Sequence, residues 1–170
     1  VGGAAGTFIR LAKTPGASSF TGSLIVVRDA SLNVLASTVN SIRTPKTRGD
    51  EVYLGTAGGE IWRSRNVNAT RVVFENKKFD QAGVGSISDM GFAGFQGNIL
   101  FVVQTNVNSY SRILRDFSGG NLGGDVEPIG DFVTPGNFKI NSIGVANANV
   151  ATTAGEVHGT YAYLGLVRPS

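Results

Sequence analysis

The sequence predicts an all-β fold, and three observations carry that expectation. Its apolar runs are short, rich in β-branched and aromatic residues, and bounded by Gly, Asn, Asp, Ser or Pro. Twenty-four glycines spread over 170 residues call for many turns. No window of about 15 residues has the Ala, Leu, Glu and Lys content that a long helix wants. Hydrophobic residues make up 41% of the chain and charged ones 16%, which describes a folded chain rather than a disordered one. The length fits one domain with a substantial core.

Strands are expected at Thr7–Leu11, Ser23–Val27, Asn33–Ala36, Glu51–Gly55, Glu60–Arg63, Thr70–Glu75, Ile99–Gln104, Ser111–Leu114, Lys139–Val145 and Thr160–Val167. Two of them, Leu24–Val27 and Ile99–Val103, are unbroken apolar runs, which suggests burial on both faces between stacked sheets. Glu60–Glu75 reads as a hairpin with its tip at Arg65–Asn68 and the single tryptophan, Trp62, on a buried face.

That hairpin also probes for repeats. Its turn, Arg65-Asn66-Val67-Asn68, matches Arg28-Asp29-Ala30-Ser31 and Arg115-Asp116-Phe117-Ser118 in outline. Asp and Asn suit such turns because their side chains bond nearby backbone N–H groups. Three segments containing Ile42, Ile87 and Ile143 alternate with these turns, each a short Ser-Ile strand, a polar or glycine-rich loop and a hydrophobic strand. Units of roughly 40–50 residues with four strands each are the pattern of propeller blades. Residues 24–76 and 86–132 would supply two units, and strands at Lys139–Val167 would be completed by those at Thr7–Val27. The expected fold is therefore a propeller-like array of short antiparallel sheets. A β-sandwich or jelly-roll subunit is the alternative.

The strand, turn and strand that begin at "YLGTAGGEIWRS" resemble the Asp-box (BNR) repeats of sialidase-like β-propellers. Ser64 and Thr70 match that motif, while Asn66, Asn68 and Arg71 stand where it has Asp, Gly and Trp. The other two turns keep Asp29 and Asp116 but lose the Ser, Gly and Trp positions. The resemblance implies a propeller architecture, and a glycan-binding or glycoside-hydrolase activity as the alternative function. Such a hydrolase would need clustered arginines, a Tyr with a Glu behind it and an Asp. Arg10, Arg28, Arg43, Arg63, Arg65, Arg112 and Arg115 are available, with Tyr53, Tyr110, Tyr161 and Tyr163, but none stands in the family's catalytic sequence context.

Other chemistry finds little purchase. There is no cysteine and one histidine, His158, expected in a loop, so thiolate chemistry and a conventional zinc site are excluded. Asp116, Asp125, Glu127 and Asp131 read as an acidic surface loop with no known calcium-loop spacing. No cofactor is expected. A net charge of +3 is too weak for a nucleic-acid partner, and no apolar run is long enough for a transmembrane helix. Asn68-Ala69-Thr70 is a glycosylation-type sequon at the expected hairpin tip.

The expected function is a non-catalytic structural subunit, extracellular or of surface or virion type, that assembles with copies of itself or with a protein or glycan partner. Residues 1–11 are expected as an N-terminal arm ahead of a single domain over 12–170. Within the arm, Thr7, Phe8, Ile9, Arg10 and Leu11 are the candidate assembly residues. Arg48-Gly49-Asp50, a plausible exposed turn, is a candidate adhesion loop. The chain begins at Val1, which reads as a processed product or part of something larger.

Overall fold

A computed structural model describes residues 5–45, 48–77, 85–93, 99–105, 111–116, 126–132, 139–152 and 155–167. Among these residues every regular element is a strand, and the strands form small antiparallel sheets in series. The first sheet pairs β1 (Thr7–Ala12) with β2 (Thr21–Val26). The second runs β3 (Val39–Arg43), β4 (Val52–Thr56), β5 (Ile61–Ser64), β6 (Glu75–Asn76). The third runs β7 (Ser86–Ala93), β8 (Ile99–Thr105), β9 (Ser111–Asp116), β10 (Val126–Phe132). The fourth pairs β11 (Lys139–Thr152) with β12 (Gly155–Val167). In both four-stranded sheets chain order equals spatial order, a plain meander.

The sheets stack face to face, so each inner sheet contributes to two apolar layers. Phe8 and Val27 pack with Val39, Val52, Leu54, Trp62, Val67 and Phe74 between the first and second sheets. Tyr53 and Ile61 meet Ile87, Met90, Leu100 and Val102 between the second and third. Ala93, Phe101 and Val103 meet Ile140 and Ile143 between the third and fourth. Alternation along a strand explains the arrangement: Leu54 serves one layer and Tyr53 the next. β4 is consequently buried at every position, as an unbroken apolar run requires.

Two glycines set the spacing between sheets. A Cβ on Gly55 would collide with Ile87 Cγ2, and one on Gly91 would collide with Val145 Cγ2. Each glycine thus admits a β-branched side chain of the following sheet against its backbone.

The expected array of short sheets is what the chain forms, rather than two large facing sheets. Several details differ from the expectation. The segment at 1–11 is not a separate arm where it is described: Thr7–Leu11 lies in β1 and pairs with β2 of its own chain. Asn33–Ala36 makes only an isolated bridge, Arg28 to Val34, because the preceding turn spends its hydrogen bonds locally. The second strand of the Trp62 hairpin is reduced to Glu75–Asn76, with Trp62 opposite Asn76, so the connection runs over residues 65–74. Trp62 is nonetheless buried. Glu127 and Asp131 stand on β10 and Asp116 on β9, where a loop was expected, and Asp125 lies outside the described residues. β11–β12 and β1–β2 remain separate sheets, so the end strands do not complete one another within the chain, and the described sheets form no closed ring.

Gly55→Ala is expected to cost about 1–3 kcal/mol, since the new methyl collides with a buried β-branched side chain. Gly144→Ala, where a Cβ meets nothing within 4 Å, is the control. Urea unfolding of the two variants checks the difference.

Candidate functional site

Three groupings of polar side chains stand out among the described residues. The first lies where the leading strands of three sheets converge. Asp89 of β7, 6% exposed, is its centre. Its Oδ1 accepts hydrogen bonds from Ser41 Oγ at 2.9 Å, from Arg43 Nη2 at 2.5 Å and from the Met90 N–H at 2.8 Å. Its Oδ2 accepts one from the Ile143 N–H at 3.0 Å. Ser41 and Arg43 belong to β3 and Ile143 to β11, so one carboxylate joins three successive sheets. Arg43 also donates to the Met90 and Ile42 carbonyls at 2.7 and 2.8 Å. Asn40, Ser88 and Asn141 complete a polar recess of about 440 Å³.

The second grouping surrounds Glu51, which is buried at the start of β4. Arg48 Nη1 lies 2.9 Å from Glu51 Oε2, and Arg63 Nη1 and Arg65 Nε lie 3.8 and 3.7 Å from Oε1. The Tyr53 hydroxyl donates to the same Oε1 at 3.2 Å. Burial pushes the Tyr53 phenol above its ordinary value. Arg63, itself buried, also reaches Glu75 Oε2 at 2.9 Å, and Lys77 Nζ reaches Glu75 Oε1 at 3.1 Å. Hydrogen bonds from Arg63 and then Lys77 hold the Glu75 carboxyl below its ordinary value. Arginines converge here, as a carboxylate-binding site would need, but the carboxylate they face is the chain's own.

The third grouping is a groove of about 640 Å³ between the turn at Asp29–Ser31 and the β5–β6 edge. Both turns beside it are closed by their own side chains. Asp29 Oδ1 accepts from the Asn33 N–H and Oδ2 from Asn33 Nδ2, each at 2.9 Å, with Leu32 at a φ of 70°. The bond from the Asn33 side chain, ahead of those from backbone N–H groups, holds the Asp29 carboxyl below its ordinary value. Asn66 Oδ1 accepts from Ser64 Oγ at 2.8 Å and from the Val73 N–H at 3.4 Å, while the Asn66 N–H donates to Ser64 Oγ.

The residues singled out in the sequence are dispersed. Phe8 is buried in the first layer, and Arg10 Nη1 donates to the Val67 carbonyl at 2.6 Å, fastening β1 to the Arg65–Asn68 tip. Ile9 and Leu11 face outward. Arg48-Gly49-Asp50 does form a turn, and Arg48 is engaged with Glu51. His158 stands on β12 opposite Asn149, not in a loop. Tyr110 lies outside the described residues. Asp89 and Ser41 escaped the sequence reading. Their signal was a charged residue between apolar neighbours, Ile87 and Met90, which a strand buried on both faces tolerates only with partners.

No protein-family model, curated protein or solved structure matches this chain.

Asp89→Ala is expected to cost about 3 kcal/mol in urea unfolding, because it strands the buried Ile143 N–H and Ser41 hydroxyl together. Asp89→Asn, which keeps an acceptor, should lose less. The lowered Glu75 value has a sign that can be tested. A depressed carboxyl adds stability above its unfolded value of 4.5, and that stability is lost as pH falls through the folded value. Melting of Glu75→Gln should therefore depend less steeply on pH than wild type below about pH 5.

Proposed function

We propose that this chain is a non-catalytic β-rich assembly unit whose end sheets pack against further β-structure, from a second copy or a partner chain. The observation that carries this reading is the uncovered face of β1–β2. Leu24–Val27 is an apolar run of the same kind as Ile99–Val103, yet Leu24 is 67% exposed while Leu100 to Val103 are buried between sheets. Ile9 stands directly opposite Leu24, and Leu11 and Phe20 are exposed on the same hairpin. At the other end Tyr161 and Tyr163 are exposed on alternate positions of β12. Faces of this composition are covered wherever the chain has another sheet to lay on them. A contiguous exposed apolar patch rimmed by polar groups is the usual mark of an interaction surface.

The arginine grouping adds to the non-catalytic reading, since Glu51 already occupies the place a substrate carboxylate would take.

The test is mass in solution. Light scattering at about 100 µM would populate even a micromolar complex. Wild type is expected to exceed the monomer mass, and Ile9→Lys/Leu24→Glu to return to it while keeping the circular dichroism of a folded β chain, because both side chains are solvated in the single chain. A wild-type chain that stays monomeric at that concentration overturns self-association, and failure of the double variant to dissociate a larger species overturns this face as its cause.

A further inference from the structure

We propose that the groove between the Asp29–Ser31 turn and the β5–β6 edge binds a neutral saccharide. This stands apart from assembly, which uses the outer face of β1–β2, to which none of the groove residues belongs. The groove has two walls: Asp29, Ala30 and Ser31 on one side, and Trp62, Arg65 and Glu75 on the other. The Phe74 N–H donates to the Arg28 carbonyl at 2.8 Å, which fixes the two walls relative to each other. A volume of about 640 Å³ suits a ligand of one or two sugar rings.

Three features select the ligand's chemistry. The lining is partly apolar, with Ala30 exposed and Val73 half-buried, and would meet the C–H face of a pyranose ring. The rim mixes hydrogen-bonding types, with carboxylates at Asp29 and Glu75, an amide at Asn66 and a guanidinium at Arg65. Hydroxyl groups, which donate and accept at once, satisfy such a rim from every side. The charges also cancel. Asp29 and Glu75 balance Arg63 and Arg65, so a charged ligand meets a like charge wherever it sits, whereas a neutral polyol does not.

Trp62 is the chain's single tryptophan and lines this groove, so its emission is the readout. The probes are maltose, cellobiose, lactose and N,N′-diacetylchitobiose, each titrated into the intact chain, with glucuronate and glucosamine as charged counterparts. At least one neutral disaccharide should change the emission saturably, with a midpoint in the millimolar range. Ala30→Phe, which fills the groove from an exposed position, should abolish the change, and Arg65→Ala should weaken it about tenfold, the effect of one good polar contact. Both positions are solvated, and circular dichroism melting establishes that each variant folds. Absence of a saturable change with every neutral probe overturns the proposal. So does a response that survives Ala30→Phe, or tighter binding of either charged probe. Because the readout is independent of mass, failure here leaves the assembly reading standing, and a monomeric chain leaves this one standing.

Discussion

The buried carboxylate of Asp89 is the constraint on which the relative placement of the sheets depends. Apolar layers hold sheets together without fixing how one slides over the next, since dispersion and burial are non-directional. Asp89 supplies direction. Ser41 and Arg43 bring β3 to it, and the Ile143 N–H brings β11. A shift of either strand by one residue would turn a donor away and leave a charge buried without its partner, which is far costlier than the loss of one apolar contact. The second and third layers are then free to be tight, because Gly55 receives Ile87 and Gly91 receives Val145 in a register already fixed.

Much of this architecture was legible in the sequence, and for a definite reason. Of the two unbroken apolar runs, Ile99–Val103 is covered on both faces as expected while Leu24–Val27 is not, because no further sheet of the chain lies over β2. The Ser-Ile segments proved to be the leading strands of successive sheets. What failed were the places where local hydrogen bonds displaced ladder pairing. Asp29 captures the Asn33 N–H and side chain, and Asn66 captures Ser64 and the Val73 N–H. The chain after each turn therefore reaches its neighbour as a bridge or a two-residue strand, although Asn33–Ala36 and Thr70–Glu75 have strand composition. Composition reports propensity, and these side chains offer the backbone an alternative to the ladder.

The polar sites were less legible because each is made of residues far apart in sequence. Glu51, Arg63 and Glu75 are brought together by the pairing of β4, β5 and β6, and Asp89 with Ser41 by the stacking of two sheets. No short motif encodes either. Only the isolated charge within an apolar strand marks Asp89 in advance, and it says that a partner exists without saying which.

The first sheet shows how an uncovered face is compatible with a folded chain. A two-stranded hairpin is marginal alone in water. β1–β2 is held from its inner side by Phe8 and Val27 in the first apolar layer, with Phe8 edge-on to Phe74 at 6.1 Å between ring centroids. Arg10 fastens it to the Val67 carbonyl, and the Gly6 N–H and carbonyl bond to Ser37 and Val27. Gly6 is required there, since its φ of +67° and its approach to the Leu35 carbonyl leave no room for a Cβ. These attachments all lie on one side of the hairpin or at its base, and none uses Ile9, Leu11 or Leu24. Folding of the sheet and covering of its outer face are consequently separable: the inner contacts place the hairpin, and the outer residues stay available for whatever β-structure is laid on them.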